Sequence, residues 1–361
     1  MSVTRHRQEL RVLHVVASTD RRGAETAALA LADALAPLGW PGAVAAVEPG
    51  LIGGLDVPTL GRSRFSISGW QRLRSMCRQA EVTVAHGSST LPAVAAATTG
   101  LSTPFVYRSI GDPRAWVNTR ARRIRVRTAA ARADAVVALW RGAAVAWLEE
   151  LGVPAERIHV IPNGSDPERF KPADQREREE ARDAIAVGRK ASVAMYLGAL
   201  TAEKRVELAI RAVSELPSVT LVIVGDGPRR TSLEEAAREH GGSRIRFLGR
   251  SDHPESLLGA ADVVVLPSDT EGMPAVAIEA GLAGVPVVAT RVGGLHEIVL
   301  SGQTGVLVAP GRVSDLARGL QACLQEREAM GLQARAHCER SFDSRRLAYM
   351  WRDLLETVIT A

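Results

Sequence analysis

The chain has 361 residues, 46% of them hydrophobic, enough for large cores and, by length, for two domains rather than one. Its 45 basic and 40 acidic residues leave a formal charge of +5, and with aromatics at only 4% it lacks the interleaved basic and aromatic side chains of a nucleic-acid binder. No apolar stretch is long enough to cross a bilayer, and three cysteines, Cys77, Cys323 and Cys338, without metal-ligand spacing fit a reducing cytoplasm and imply no disulfide framework.

The charge is uneven. Residues 1–165 carry 20 Arg against 12 acids, whereas residues 166–361 carry 25 Lys plus Arg against 28 acids. Much of the first excess sits in Arg120, Arg122, Arg123, Arg125, Arg127 and Arg132, on a predicted helix after Trp116. A cationic helix of this kind reads either as a solvated face or as a surface that meets anionic lipid or an anionic acceptor, with peripheral attachment to the inner face of a membrane.

In chain order, the first apolar run is only about seven residues long and no small-residue cleavage site follows it, so it reads as a strand rather than a signal peptide. Strands are predicted at Val12–Ala17, Ala43–Val47, Val82–Ala85, Phe105–Arg108, Ala135–Ala138 and Ile158–Ile161, alternating with helical stretches. The alternation breaks at Pro162, where prolines, Asn163, Gly164 and a charged run follow; 166–190 is read as a linker closing a domain of residues 1–165. A second series begins in the domain 191–343, with strands at Val193–Leu197, Thr220–Val224, Ile245–Leu248, Val263–Leu266, Val287–Ala289 and Gly305–Val308. The last stretch, 344–361, is a helix free to pack on either half. This is an α/β chain of two Rossmann-like halves, and halves facing each other would enclose a cleft at the carboxyl ends of their strands.

Four loops at those strand ends carry informative residues in the second half. Lys204 and Arg205 follow the strand Val193–Leu197; a lysine at a helix start serves a diphosphate as a mobile charge, or is a plain surface lysine. Gly225 opens the turn Gly-Asp-Gly-Pro, and Leu248 and Gly249 end the next strand, where backbone groups can frame a base. In the fourth loop Glu271 and Glu279 are separated by seven residues, with Gly272, Met273, Pro274 and Ala275 between them. Pro274 suits a first helical position, and the free N–H groups of a helix start near Gly272–Ala275 form an anion site. Phosphate on backbone N–H groups and hydroxyls on two acids together describe a nucleotide-sugar pocket.

With these residues in view the chain resembles the family 4 retaining glycosyltransferases of the two-domain GT-B fold over nearly its whole length. The E-x7-E pattern falls on Glu271 and Glu279 within EGMPAVAIEAGLAGVPVVAT, and the match continues through VGGLHEIV and TGVLVAPG. The resemblance implies that Glu279 binds the donor ribose, that Glu271 lies by the donor sugar, and that Lys204 holds the diphosphate. RRGAE at 21–25, with Gly23, resembles the glycine-rich loop after strand one, although Arg22 replaces its first glycine. His86 stands where the family often has a histidine near the transferred sugar, and PNGSD at 162–166 resembles the junction motif. Ala199 departs from the family, which commonly has an arginine there; Arg205, Arg229 or an arginine of the first half would have to substitute. The resemblance implies sugar transfer from a nucleoside-diphosphate sugar to an acceptor hydroxyl in polysaccharide, glycolipid or glycoside synthesis, without cofactor. Since no Asp-x-Asp pair occurs, no bridging metal is expected. The other readings are a nucleotide-sugar-binding scaffold and a GT-B sugar-nucleotide epimerase; a dinucleotide-dependent oxidoreductase is disfavoured because no G-x-G-x-x-G follows the first strand.

Overall fold

The computed structural model describes residues 10–21, 23–51 and 53–361. The chain divides into two compact units, one of residues 1–163 with 344–361 and one of residues 164–343. In the first, β1 (Val12–Ser18), α1 (Gly23–Leu35), β2 (Gly42–Glu48), α2 (Ile67–Gln79), β3 (Val82–His86), α3 (Leu91–Ala97), β4 (Phe105–Ser109), α4 (Pro113–Trp116), α5 (Arg120–Ala130), β5 (Ala135–Ala138), α6 (Arg141–Glu149) and β6 (Ile158–Val160) follow one another. The second contains α7 (Gln175–Ala184), β7 (Ser192–Leu197), α8 (Val206–Ser214), β8 (Val219–Val224), α9 (Arg230–His240), β9 (Ile245–Gly249), α10 (Pro254–Ala260), β10 (Val263–Leu266), α11 (Ala275–Leu282), β11 (Val287–Thr290), α12 (Leu295–Ile298), β12 (Gly305–Val308), α13 (Val313–Gln325) and α14 (Arg327–Phe342). A closing helix, α15 (Ser344–Thr360), belongs to the first unit.

Each unit is built on a six-stranded sheet, ordered β2-β1-β3-β4-β5-β6 in the first and β12-β11-β10-β7-β8-β9 in the second. Every strand pairing among the described residues is parallel. This explains why the strands were so visible as continuous apolar runs: helices cover both faces, so β3, β4, β5, β10 and β11 are buried at every residue. The exceptions are the edges, where β6 is three residues long and β9 is half exposed.

In the first unit α1 and α15 pack together on one face of the sheet. Leu347, Ala348, Trp351, Leu354 and Leu355, spaced at helical intervals, bury the inner side of α15. Of these, Leu347, Trp351, Leu354 and Leu355 share a core with Val12, Leu35, Trp40, Val84 and Val137. The connections from β2 to β3 and onward to β4 and β5 run in the opposite direction across the sheet, and right-handed crossovers therefore put α2, α3 and α5 on the other face. There α3 touches both α2 and α5. In the second unit a core lies between the sheet and α8, α9 and α13.

The segment 166–190, read from composition as a linker, holds α7 and packs on α10. Asp174 and Glu177 close a capping box at its start. Arg178 and Arg182, one helical turn apart, both reach the Asp262 carboxylate, at 2.5 and 2.7 Å. That carboxylate also accepts the backbone N–H of Val193 at 2.8 Å. A run of charges that composition assigns to solvent is thus tied by ion pairs to the entrances of β7 and β10.

Candidate functional site

In a parallel sheet, ligands bind beyond the carboxyl ends of the strands at the point where the strand order reverses direction. In the second unit that point lies between β7 and β10, the chain building outward through β8 and β9 on one side and β11 and β12 on the other. The loop after β7 carries Lys204 and the loop after β10 carries Glu271. The two side chains meet there, Lys204 Nζ lying 2.8 Å from both carboxylate oxygens of Glu271. Ser268 Oγ donates a third hydrogen bond to Glu271, at 2.7 Å. Glu271 is buried while Lys204 keeps a quarter of its side chain exposed, so an ammonium is presented at the surface of the site with its counter-ion beneath it.

The neighbouring loops are laced together by backbone. Gly198 N–H donates to Val224, Leu200 N–H to Asp226, Arg229 N–H to Leu200 and Gly225 N–H to Gly249. Gly225 has φ of +140°, and a Cβ there would lie 1.8 Å from the carbonyl oxygen of Gly198, so only glycine permits this approach. Gly249 ends β9 beside Leu248, an apolar side chain left 38% exposed. On the other flank Gly294 N–H donates to the carbonyl of Gly272 at 2.7 Å. Gly293, with φ of +53°, has its Cβ position 2.1 Å from the carbonyl oxygen of Glu271. The Val-Gly-Gly stretch thus braces the acidic loop from behind.

Pro274 is the residue preceding α11 rather than its first helical residue: its ψ of 121° is extended and the helix begins at Ala275. Proline fixes φ but leaves ψ free, and here ψ turns the chain into the helix. No side chain caps this end, so the first-turn N–H groups of Ala275 and Val276 have no intrahelical acceptor. Met273 is buried. Glu279 sits one turn along α11, half-buried, and its carboxyl makes no hydrogen bond or ion pair among the described residues. Burial pushes its pKa up to about 7, partly offset by Arg169, while Glu255 adds to the rise.

Two expected cations sort differently. Arg205, in the left-handed region with φ of +48°, pairs with Glu207 at 2.7 Å and Asp269 at 2.9 Å. The Arg229 side chain bonds only Ser232, at 3.1 Å, and has no carboxylate partner among the described residues.

In the first unit the order reverses between β1 and β3. The loop after β1 leads to Gly23, the first residue of α1, with open space around its Cβ position; Arg22 lies outside the described residues. His86 ends β3, but its imidazole points into the protein and is 2% exposed. Its Nε2 lies 3.0 Å from Nδ1 of His14, and its Nδ1 lies 3.4 Å from Nη1 of Arg108. Since a guanidinium only donates, Nδ1 of His86 accepts and Nε2–H donates to His14. Burial and the Arg108 charge hold His86 well below the usual histidine range and bring His14 to about 3. His86, which the resemblance sets near the transferred sugar, is thus buried between His14 and Arg108 in this structure.

The first half of this arrangement, residues 21–169, matches the family model described as Glycosyltransferase Family 4, and residues 177–339 match that described as Glycosyl transferases group 1. Among curated proteins, glycogen synthase of Mycobacterium tuberculosis (strain CDC 1551 / Oshkosh) is 39% identical over 199 residues, 53% of this chain and 46% of that protein. D-inositol 3-phosphate glycosyltransferase of Nocardia farcinica (strain IFM 10152) is 36% identical over 226 residues, 57% of this chain and 49% of that protein. The chain thus spans about half the length of the curated relatives it matches. Among solved structures, HepE of Anabaena in complex with UDP superposes with a TM-score of 0.85 at 22% identity, over 96% of this chain and all of that one.

Proposed function

The chain belongs to the family 4 glycosyltransferases of the GT-B fold, and from that premise we propose that it moves a sugar from a nucleoside-diphosphate sugar to an acceptor hydroxyl with retention at the anomeric carbon. The observation that carries the reading is the Lys204–Glu271 pair at the reversal point of the second sheet, 2.8 Å apart, beside an uncapped helix start. As the glycosidic bond lengthens, charge grows on the diphosphate, and donors already in place stabilise that state more than the ground state. Lys204 and the first-turn N–H groups of Ala275 and Val276 fill this role without a metal, with Arg229 as the second cation in place of the arginine absent at Ala199. Glu271 fixes Lys204 and lies by the sugar hydroxyls. Glu279, whose carboxyl has no other partner among the described residues, takes the ribose hydroxyls. The exposed Leu248 with the backbone of Gly249 frames the base.

The match to a structure holding UDP and to another holding UDP-glucose makes UDP-glucose the first donor to try. The reading also makes the acceptor a hydroxyl of a polysaccharide, glycolipid or small glycoside. Purified protein given UDP-glucose and an acceptor panel in EDTA is expected to form a glycoside with the donor's anomeric configuration, read from the anomeric proton coupling. Inverted product, or a strict need for added divalent metal, contradicts the proposed mechanism.

A further inference from the structure

The first unit carries a surface that sugar transfer does not use. Residues 60–80, which span the approach to α2 and the helix itself, hold five arginines and no acid, and residues 113–133, which include α5, hold seven arginines and no acid. Between them residues 82–107 contain no Asp, Glu, Lys or Arg. The fold brings these stretches together, α3 lying against both α2 and α5 on one side of the sheet.

This face is apolar as well as cationic. Phe65 is 87% exposed, Ile67 76%, Trp70 43% and Ile124 58%. Ile67, Trp70, Arg74 and Arg78 follow one stripe of α2, flanking the stripe of its buried residues Gly69, Leu73 and Cys77. The side chains of Arg62, Arg78, Arg120, Arg123 and Arg125 make no hydrogen bond or ion pair among the described residues. Phe65, Ile67 and Trp70 lie at the N-terminal end of α2, which the parallel crossover places at the carboxyl edge of the sheet, the edge where the loops after β1 and β3 open.

We propose that the face formed by α2, α3 and α5 docks on an anionic lipid bilayer, with Phe65, Ile67, Trp70 and Ile124 entering the interface and the unpaired arginines meeting lipid phosphates. Charge alone would suit any polyanion. Large apolar side chains standing in water beside arginines distinguish an interfacial surface, which gains from burying them among acyl chains as well as from electrostatics. Tryptophan at the rim matches the preference of its ring for headgroup depth.

The test is co-sedimentation of the full chain with phosphatidylglycerol vesicles and with phosphatidylcholine vesicles. Binding to the anionic vesicles is expected to exceed that to the neutral ones by about tenfold or more and to fall with salt. Phe65→Ser with Ile67→Ser, and separately Arg120→Gln with Arg123→Gln and Arg125→Gln, are each expected to weaken it by about tenfold with unchanged circular dichroism. Wild-type protein left in the supernatant, or equal binding to both vesicle types, overturns the proposal. So does a double Ser variant that binds phosphatidylglycerol as wild type does while short duplex DNA displaces both, which would make the face a polyanion site. These outcomes are independent of whether sugar transfer is observed.

Discussion

At the scale of single residues, Glu279 shows how the fold prepares a polar group for a ligand. A carboxyl half-buried without a hydrogen-bond partner is costly when ionised, which is why its pKa rises from 4.5 to about 7. A group whose folded pKa is raised contributes stability while it keeps its proton. That contribution is present below about pH 4.5 and is lost as pH rises through about 7. Urea unfolding of the ligand-free protein should show wild type losing about 1–3 kcal/mol relative to Glu279→Gln between pH 5 and pH 8. Parallel stabilities of the two proteins across that interval would show that the carboxyl is not held in this way. His86 makes a different point: the resemblance alone set it near a transferred sugar, and the packing of His14 and Arg108 around its imidazole is not legible in the sequence.

At the scale of elements, the clearest case is α7. Its sequence, QREREEARDA, is nearly all charged, and its only buried residue is Arg182, so neither periodicity nor composition marks it as part of a core. What holds it is Asp262, 80 residues away in sequence from Arg182. Replacing Asp262 with Ala leaves two inward arginines and the Val193 N–H without their acceptor and is expected to cost about 3–5 kcal/mol, read as a shifted urea midpoint. A loss below about 1 kcal/mol would mean the pairs are solvated and α7 is held otherwise. All twelve strands, by contrast, lie where the sequence places them to within a residue or two, because strands buried on both faces must be apolar throughout. The helix after β10 was also legible, one residue out at Pro274. Long-range ion pairs were not: the commitment of Arg205 to Asp269 depends on two loops meeting. Nor was the apolar stripe of α2 and the loop before it, since the side of the helix that the fold leaves in water decides that Phe65, Ile67 and Trp70 are exposed.

At the scale of the whole molecule, each unit reverses its strand order once, and the residues with the most informative chemistry lie at these two points. In the second unit a lysine from one side of the reversal and a glutamate from the other form a pair, with the helix start and Glu279 alongside. The central claim is that this place holds a nucleoside-diphosphate sugar, and the direct measurement is titration calorimetry with UDP-glucose in EDTA on wild type, Glu279→Ala and Lys204→Gln. The glutamine keeps a donor toward Glu271, so that a change reports lost charge rather than a collapsed loop. Wild type is expected to bind, and each variant to bind at least about tenfold more weakly, about 1.4 kcal/mol. Variants that bind UDP-glucose as tightly as wild type would contradict the assignment of these residues, and a wild type that binds no UDP, GDP, TDP or ADP sugar would contradict the claim itself.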